Sequence, residues 1–422
     1  MAGKGFKSLT ATSEALKLVV AKLQPRTATL EKLSLSEALG KVLGEDIIAP
    51  VDIPPFDRAA MDGFAVKAED TYGASTVSPI FLKSVGSIPI GVKPSLTLAK
   101  GQATSVVTGS QMPQGANAVV MVEYTKRTGD DTIEVSGEVH PSENVARTGE
   151  DVRKDAFVLR KGTRLLPPDV GMLSYFGIST VSVKRRPRIA ILSTGNELEE
   201  SPRIDSGKIP DVNRPMLVSA IKQLNCEPVD MGVAPDEFEE IHDRLKRAIE
   251  LADLVLITAG TSVGPEDIVP NVVNSLGKPG MLVHGVAMRP SMPTGLGVVN
   301  GKPVISLPGY PASAYLAFLE FVPPLIDHML ETGSLPKPTV KATLQRRVAG
   351  VLGSRTYVRV LVTDGSRGTF ADPVRTSGAG ILSSLVQANG FIIVPEHVEG
   401  YEENQAVDVQ LFRPLEREHP VE

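Results

Sequence analysis

Three short loops stand out because each follows a short apolar run of the buried-strand type. Ser193-Thr194-Gly195-Asn196-Glu197 follows Ile189–Leu192, and Ala259-Gly260-Thr261-Ser262-Val263-Gly264 follows Asp253–Ile257. Pro308-Gly309-Tyr310-Pro311-Ala312-Ser313 follows Val304–Leu307. In the second loop, two glycines flank a hydroxyl-rich turn just before a helical stretch. Such a turn offers backbone N–H groups and a positive helix end to an anion. The same residues also suit a plain tight turn. No lysine follows the glycine, so it is not a Walker loop, and no GxGxxG follows any strand. Asp267 fits a helix cap or a carboxylate holding Mg²⁺ beside a phosphate. In the third loop, Pro311 suits a rigid helix start, and Ser313 fits either that connection or a second anion cradle. Arg289-Pro290-Ser291-Met292-Pro293 places a cation on a restricted backbone. It serves either an oxyanion or a surface ion pair.

Outside these loops, Asp57 and Asp62 lie in PPFDRAAMDGFAV, a segment dense in turn formers, and Asp62-Gly63 reads as a turn. Glu123 reads as a solvated edge charge, and Asp151, within TGEDVRK, as a salt-bridge member.

The elements that must carry these residues fall into stretches of different period. Ala15, Leu16, Val19, Val20 and Leu23 predict a first helix, stopped at Pro25. Ser34 and Glu37 fit a capping box, with Ala38 to Leu43 continuing in helical register. Residues 54–144 show short alternating runs between Gly and Pro, the pattern of a β-rich domain. From 145 to about 183, strand fragments surround a short helix after Pro168. From Arg188 to His328, strands alternate with helices over Arg214–Leu224, Asp236–Leu251 and Asp267–Leu276, with Asp236 as an N-cap. This alternation predicts a parallel α/β sheet, whose ligands bind beyond the carboxyl ends of the strands. A helix from Pro311 to about Leu330 closes it, and Gly333–Pro338 reads as a linker. Residues 339–413 alternate as a small β-barrel or sandwich.

Composition narrows the function. The 422 residues predict two to four domains. A net charge of −5 argues against a general nucleic-acid or anionic-membrane binder. One cysteine, Cys226, excludes an intramolecular disulfide or a cysteine zinc cluster, and the six histidines lack metal-pair spacing. No segment reads as membrane-spanning, and MAGKGFKSLT lacks the apolar core of a secretory signal, so the expected compartment is the cytoplasm.

Six motifs occur in a fixed order: MDGFAV (61–66), VVTGSQMPQGANAVVMVE (106–123), TGEDVRK (148–154), RPRIAILSTGNEL (186–198), TAGTSVGPED (258–267) and LPGYPAS (307–313). Together they resemble the molybdopterin molybdenumtransferases, the MoeA and gephyrin E-domain family, over roughly residues 10–412. The resemblance implies a MoeA-like, α/β plus β multidomain chain. Residues 1–53 and 145–184 would form a helix-and-strand domain, and 54–144 an inserted β-rich domain. Residues 185–332 would form a three-layer molybdopterin-binding α/β domain, and 339–413 a C-terminal β-barrel. It implies a homodimer with a cleft shared between subunits, and transfer of molybdate or tungstate to adenylylated molybdopterin with Mg²⁺ and release of AMP. The implied partners are the molybdopterin adenylyltransferase and the recipient molybdo- or tungsto-enzymes.

Carried over by motif, Asp62, Thr108, Asp151, Glu197 and Asp267 would line the active site, with Asp62 and Asp267 near the metal. Gly260, Thr261, Ser262 and Gly264 would take the pterin phosphate. Arg289, Pro293 and Ser313 would cradle the oxyanion, completed by Arg359 and Ser377. Departures gather at the same cleft. KPGKP reads RPSMP, so Met292 replaces a cation, and LPGNP reads LPGYP, placing Tyr310 where relatives have asparagine. The paired glycine before Thr261 is Ala259-Gly260, STGDE reads STGNE, and GADAV reads GANAV at Asn117. The competing readings are a weakened paralogue that binds pterin or a partner as carrier or scaffold, and adenylyl transfer by the α/β domain. An NAD-dependent oxidoreductase lacks its fingerprint.

Overall fold

A computed structural model describes residues 8–24, 29–200, 207–259, 268–375 and 381–417. The chain forms two compact units. One comprises Leu33–Leu39 and Glu45–Val181; the other comprises Met1–Lys32, Gly40–Gly44 and Ser182–Glu422. No helix among the described residues is long and apolar enough to cross a membrane.

The smaller unit is built around a six-stranded sheet in the order 118–121, 63–66, 102–106, 80–88, 132–135, 125–127. Strand Gly63–Val66 is buried along its whole length because both its faces are covered. Phe64 and Val66 pack with Leu82, Val120, Ile133 and Val135. Ala65 points the other way, to Val106, Met112 and Val119, as the two-residue period of a strand requires. Gly63 is therefore the first residue of a central strand, not the second half of a turn. A Cβ there would sit 1.9 Å from the Val120 carbonyl oxygen, so only glycine lets the neighbouring strand close in. Helix Pro167–Tyr175 begins on two prolines, and Asp169 accepts a hydrogen bond from the Leu166 N–H at 2.8 Å. The short helix at Ser34 is one turn, Leu35–Ala38, and does not run on to Leu43. Ser34 Oγ donates to the Glu37 carboxylate instead of completing a capping box.

The larger unit contains a six-stranded sheet in the order 227–234, 188–194, 254–259, 302–308, 295–299, 279–284. The first four strands are parallel, as alternation predicts. The last two are antiparallel, so the sheet is mixed. Residues 279–299 supply that pair, with no helix between its strands to force a parallel crossover. Helices Asn213–Gln223 and Pro311–Met329 cover one face, with Leu217, Ile221, Phe318 and Phe321 buried against Ile189, Ile191, Leu254 and Leu256. Helices Phe238–Leu251 and Ile268–Leu276 cover the other, where Ile241, Leu245, Val269 and Val273 meet Ala190, Leu192, Val255 and Ile257. The result is three layers. Asp236 does not cap its helix: Glu237 holds that position, with no side-chain cap bond. Asp253 fixes the start of two strands by accepting from Arg188 N at 2.7 Å and from Arg185 Nη2 at 2.8 Å.

The C-terminal strands settle barrel against sandwich. Strands 355–365, 368–375, 339–344, 406–411 and 390–394 pair in sequence, and 390–394 pairs back to 355–365. Five strands thus close on themselves and leave no open edge among them. The short strand Met288–Arg289 joins the barrel by pairing with Arg355 and Thr356.

Candidate functional site

In the larger unit the strand order places 188–194 between 227–234 and 254–259, so the chain leaves the first strand in one direction and later continues in the other. The gap beyond the carboxyl ends of 188–194 and 254–259 is the topological switch point, where open α/β sheets receive ligands. Beneath this edge, Thr258 Oγ1 donates to Ser193 Oγ at 3.0 Å, and both residues are buried. Glu197 is exposed on the first loop and curls back over Gly195. A Cβ on Gly195 would lie 2.9 Å from each Glu197 carboxylate oxygen. The second loop's Gly260, Thr261, Ser262 and Gly264, with Asp267, lie outside the described residues, as does Ser377.

The third loop and the Arg289–Pro293 segment come together. Helix Pro311–Met329 starts on a proline at the end of strand 302–308, and Ser313 in its first turn is 2% exposed. Ser291 Oγ donates to the Ser313 backbone carbonyl at 2.7 Å. Thr294 donates to the Ser291 carbonyl twice, from N at 3.1 Å and from Oγ1 at 2.7 Å. The Val286 N–H closes the same turn on the Met292 carbonyl at 2.8 Å. Arg289 is exposed, with its backbone held in the strand that pairs with the barrel, and Pro293 is half-buried. Arg359, by contrast, is buried at 2% exposure in the barrel strand, in register with Phe391.

Sequence reasoning passed over Asp211-Val212-Asn213-Arg214, although Asp and Asn just ahead of an apolar helix are a start signal. Asn213 is 6% exposed, and its Nδ2 donates to the Gly309 carbonyl at 2.7 Å. Its Oδ1 is buried without a hydrogen-bond partner among the described residues. The Thr194 hydroxyl at the end of its strand is in the same condition. Buried polar atoms of this kind are normally paired. Arg214 gathers three carboxylates: Asp230 at 2.6 Å, Glu200 at 2.8 Å and Asp211 at 3.1 Å. Ser291 was also missed, since nothing in its type marks it as linking two loops.

In the smaller unit, Asp62 and Thr108 meet directly. Thr108 donates to Asp62 Oδ1 from its backbone N at 2.6 Å and from its hydroxyl at 2.8 Å. These two bonds, the backbone one first, hold the Asp62 carboxyl below the usual carboxylate range. Both residues are exposed, so the group is an accessible, ionised carboxylate. Asp57 accepts a matching pair of hydrogen bonds from the N–H and hydroxyl of Thr148, each at 2.8 Å. Asp151 is exposed and gives its N–H to the Ile53 carbonyl at 3.0 Å. Asn117 donates to Glu69 at 3.4 Å and accepts from Ala68 N at 2.7 Å, tying a turn together. No group of three or more His, Cys, Asp or Glu side chains is placed to hold a metal among the described residues. Mg²⁺ is commonly held by one or two carboxylates together with substrate phosphates. The lone Asp62 carboxylate fits that mode.

A three-layer α/β sheet and a closed five-stranded barrel in one unit, with a β-rich sheet in the other, define a multidomain α/β plus β class of protein. Family models agree along the chain: the MoeA N-terminal region (domains I and II) matches residues 10–177. The probable molybdopterin-binding domain matches 190–328, and the MoeA C-terminal region (domain IV) matches 341–412. The molybdopterin molybdenumtransferase of Bacillus subtilis is 33% identical over 91% of this chain and 90% of its own. Molybdopterin molybdenumtransferase 2 of Mycobacterium tuberculosis H37Rv is 33% identical over 86% of this chain and 90% of its own. The crystal structure of a molybdopterin biosynthesis MoeA protein from Pyrococcus horikoshii superposes with a TM-score of 0.83 at 37% identity, covering 96% of this chain and all of that one. The chain belongs to the MoeA family of molybdopterin molybdenumtransferases.

Proposed function

We propose that this protein transfers molybdate or tungstate into adenylylated molybdopterin, releasing AMP, as a transferase of molybdenum cofactor biosynthesis. The observation that carries this reading is the joining of two oxyanion-type segments at one end of the α/β sheet, through Ser291 and Ser313. The first turn of helix Pro311–Met329 presents backbone N–H groups and a positive helix end to an anion. Arg289, exposed two residues before Ser291, supplies the full positive charge that Met292 does not.

In this reading the sheet edge around Thr194, Glu197 and Asn213 receives the pterin and its phosphate. The glycine loop of Gly260, Thr261, Ser262 and Gly264 contributes N–H donors. Arg289, Pro293 and Ser313 hold the oxyanion while the dithiolene sulfurs take the metal, with Arg359 and Ser377 assigned to complete the cradle. Asp62, kept ionised by Thr108, Asp151 and Asp267 are the carboxylates assigned to the phosphate link to AMP. Asp62 and Asp267 would hold Mg²⁺, which would supply positive charge against the leaving phosphate.

Several further features belong to the same proposal. The four segments 1–53 with 145–184, 54–144, 185–332 and 339–413 are separate domains. The active form is a homodimer whose subunits share the cleft, working in the cytoplasm between the adenylyltransferase and the recipient enzymes. The test is AMP release from adenylylated molybdopterin with Mg²⁺, adding molybdate and tungstate separately. Release that depends on either oxyanion supports the assignment and sets the metal preference. Bound but intact substrate with both oxyanions sinks it in favour of a carrier or scaffold, the role to which Met292 and Tyr310 would point.

A further inference from the structure

The segment Arg289-Pro290-Ser291-Met292-Pro293 contains one residue whose backbone its side chain disfavours. Ser291 has φ 101°, on the side of the map where a Cβ is crowded and glycine is at ease. It is also 3% exposed, so its hydroxyl is out of water and requires a partner. That partner is the backbone carbonyl of Ser313, 22 residues later in the chain, at 2.7 Å. The two bonds from Thr294 to the Ser291 carbonyl hold the rest of the turn.

Strain from the backbone and the gain from one hydrogen bond are of similar size and opposite sign. A serine here therefore adds little net stability over a glycine. What it adds is a fixed distance. The carbonyl it engages belongs to the first helical turn that carries the Ser313 hydroxyl, and the residue itself lies two positions after Arg289. The bonds of Thr294 to the Ser291 carbonyl and of the Val286 N–H to the Met292 carbonyl are local, Met288 and Arg289 pair with the barrel strand at Arg355 and Thr356, and none of these uses the hydroxyl.

We infer that Ser291 is a positioning residue for the oxyanion: its hydroxyl locks the Arg289–Pro293 segment to the helix start at Ser313. This rests on the function proposed above and deepens it, because it assigns oxyanion affinity to a bond that touches no substrate. The prediction separates the two substrates. Ser291→Gly removes the tether and relieves the backbone, whereas Ser291→Ala removes the tether and keeps the strain.

The experiment uses the full-length protein and measures AMP release as a function of molybdate, tungstate and adenylylated molybdopterin, with calorimetric titration of each free oxyanion and a thermal melt. Both variants are expected to raise the oxyanion KM about ten-fold, with kcat at saturating oxyanion and KM for adenylylated molybdopterin within about two-fold of wild type. The glycine variant is expected to melt no lower than the alanine variant. Unchanged oxyanion KM and affinity in Ser291→Gly, with active wild type, overturns this inference alone. An equal loss for both substrates also overturns it, since that marks a general structural role. Wild type that releases no AMP overturns the functional reading and this inference with it.

Discussion

Thr108 gives two hydrogen bonds to a single oxygen of Asp62, from its backbone N at 2.6 Å and from its hydroxyl at 2.8 Å, across 46 residues of sequence. The pair leaves Oδ2 of an ionised carboxylate for other work and keeps it charged in mildly acidic solution. Charge on Asp62 stabilises the contact above its ordinary pKa, and the contact is lost as pH falls through the lowered folded value.

Thr108→Val removes the hydroxyl bond and keeps the backbone one. The Asp62 titration midpoint, followed by carboxyl carbon NMR, is expected to move upward towards the ordinary aspartate value. An unmoved midpoint would mean that the side-chain bond does not act on the charge. Asp62→Asn is expected to abolish AMP release with the melting temperature unchanged, and wild-type turnover in that variant would refute the assignment.

Gly63→Ala tests the close approach in the smaller unit. The added Cβ meets backbone, the Val120 carbonyl at 1.9 Å, which no rotamer change relieves. A loss of about 2–3 kcal/mol is expected from the displaced strand, read from denaturant unfolding. A loss near zero would show that the strands part freely.

Asp253→Ala leaves the Arg188 N–H and the Arg185 guanidinium without their shared acceptor at the amino ends of two central strands. About 2 kcal/mol of stability should be lost, and combining it with Arg185→Ala should cost less than the sum of the single changes. Strict additivity would deny the coupling.

Tyr310 stands at the N-cap of helix Pro311–Met329 and makes no side-chain cap bond there. Asparagine is among the best N-cap residues, and its carbonyl can accept from the helix N–H groups. Tyr310→Asn is therefore expected to raise stability by about 1 kcal/mol. Comparing molybdate with tungstate in the same variant shows whether the exposed phenol also sets the oxyanion preference. An identical KM ratio would remove Tyr310 from that role.

Much of the larger unit was legible because its signals are local. Apolar runs such as Ile189–Leu192 and Asp253–Ile257 are buried strands in the structure, shifted by one or two residues, because only such runs suit a sheet covered on both faces. The helix at Pro311 was equally plain from its proline start and apolar length. The helix proposed on to Leu43 failed, since the chain turns extended at Leu39 with ψ 130° and Gly40 follows at φ 74°. The antiparallel strands 279–284 and 295–299 escaped notice because glycine and proline dilute their alternation.

The sequence by itself determined which loops follow which strands, and thereby the edge of the sheet where chemistry is possible. It also determined the family, because six motifs in order carry information that no single loop does. The tertiary structure decided which of those residues act together. That Thr108 grips Asp62, and that Ser291 reaches the carbonyl of Ser313, depends on contacts between segments far apart in the chain. Residue type alone does not encode a partner at such a distance, because a serine or threonine hydroxyl bonds equally well to any acceptor the fold brings near.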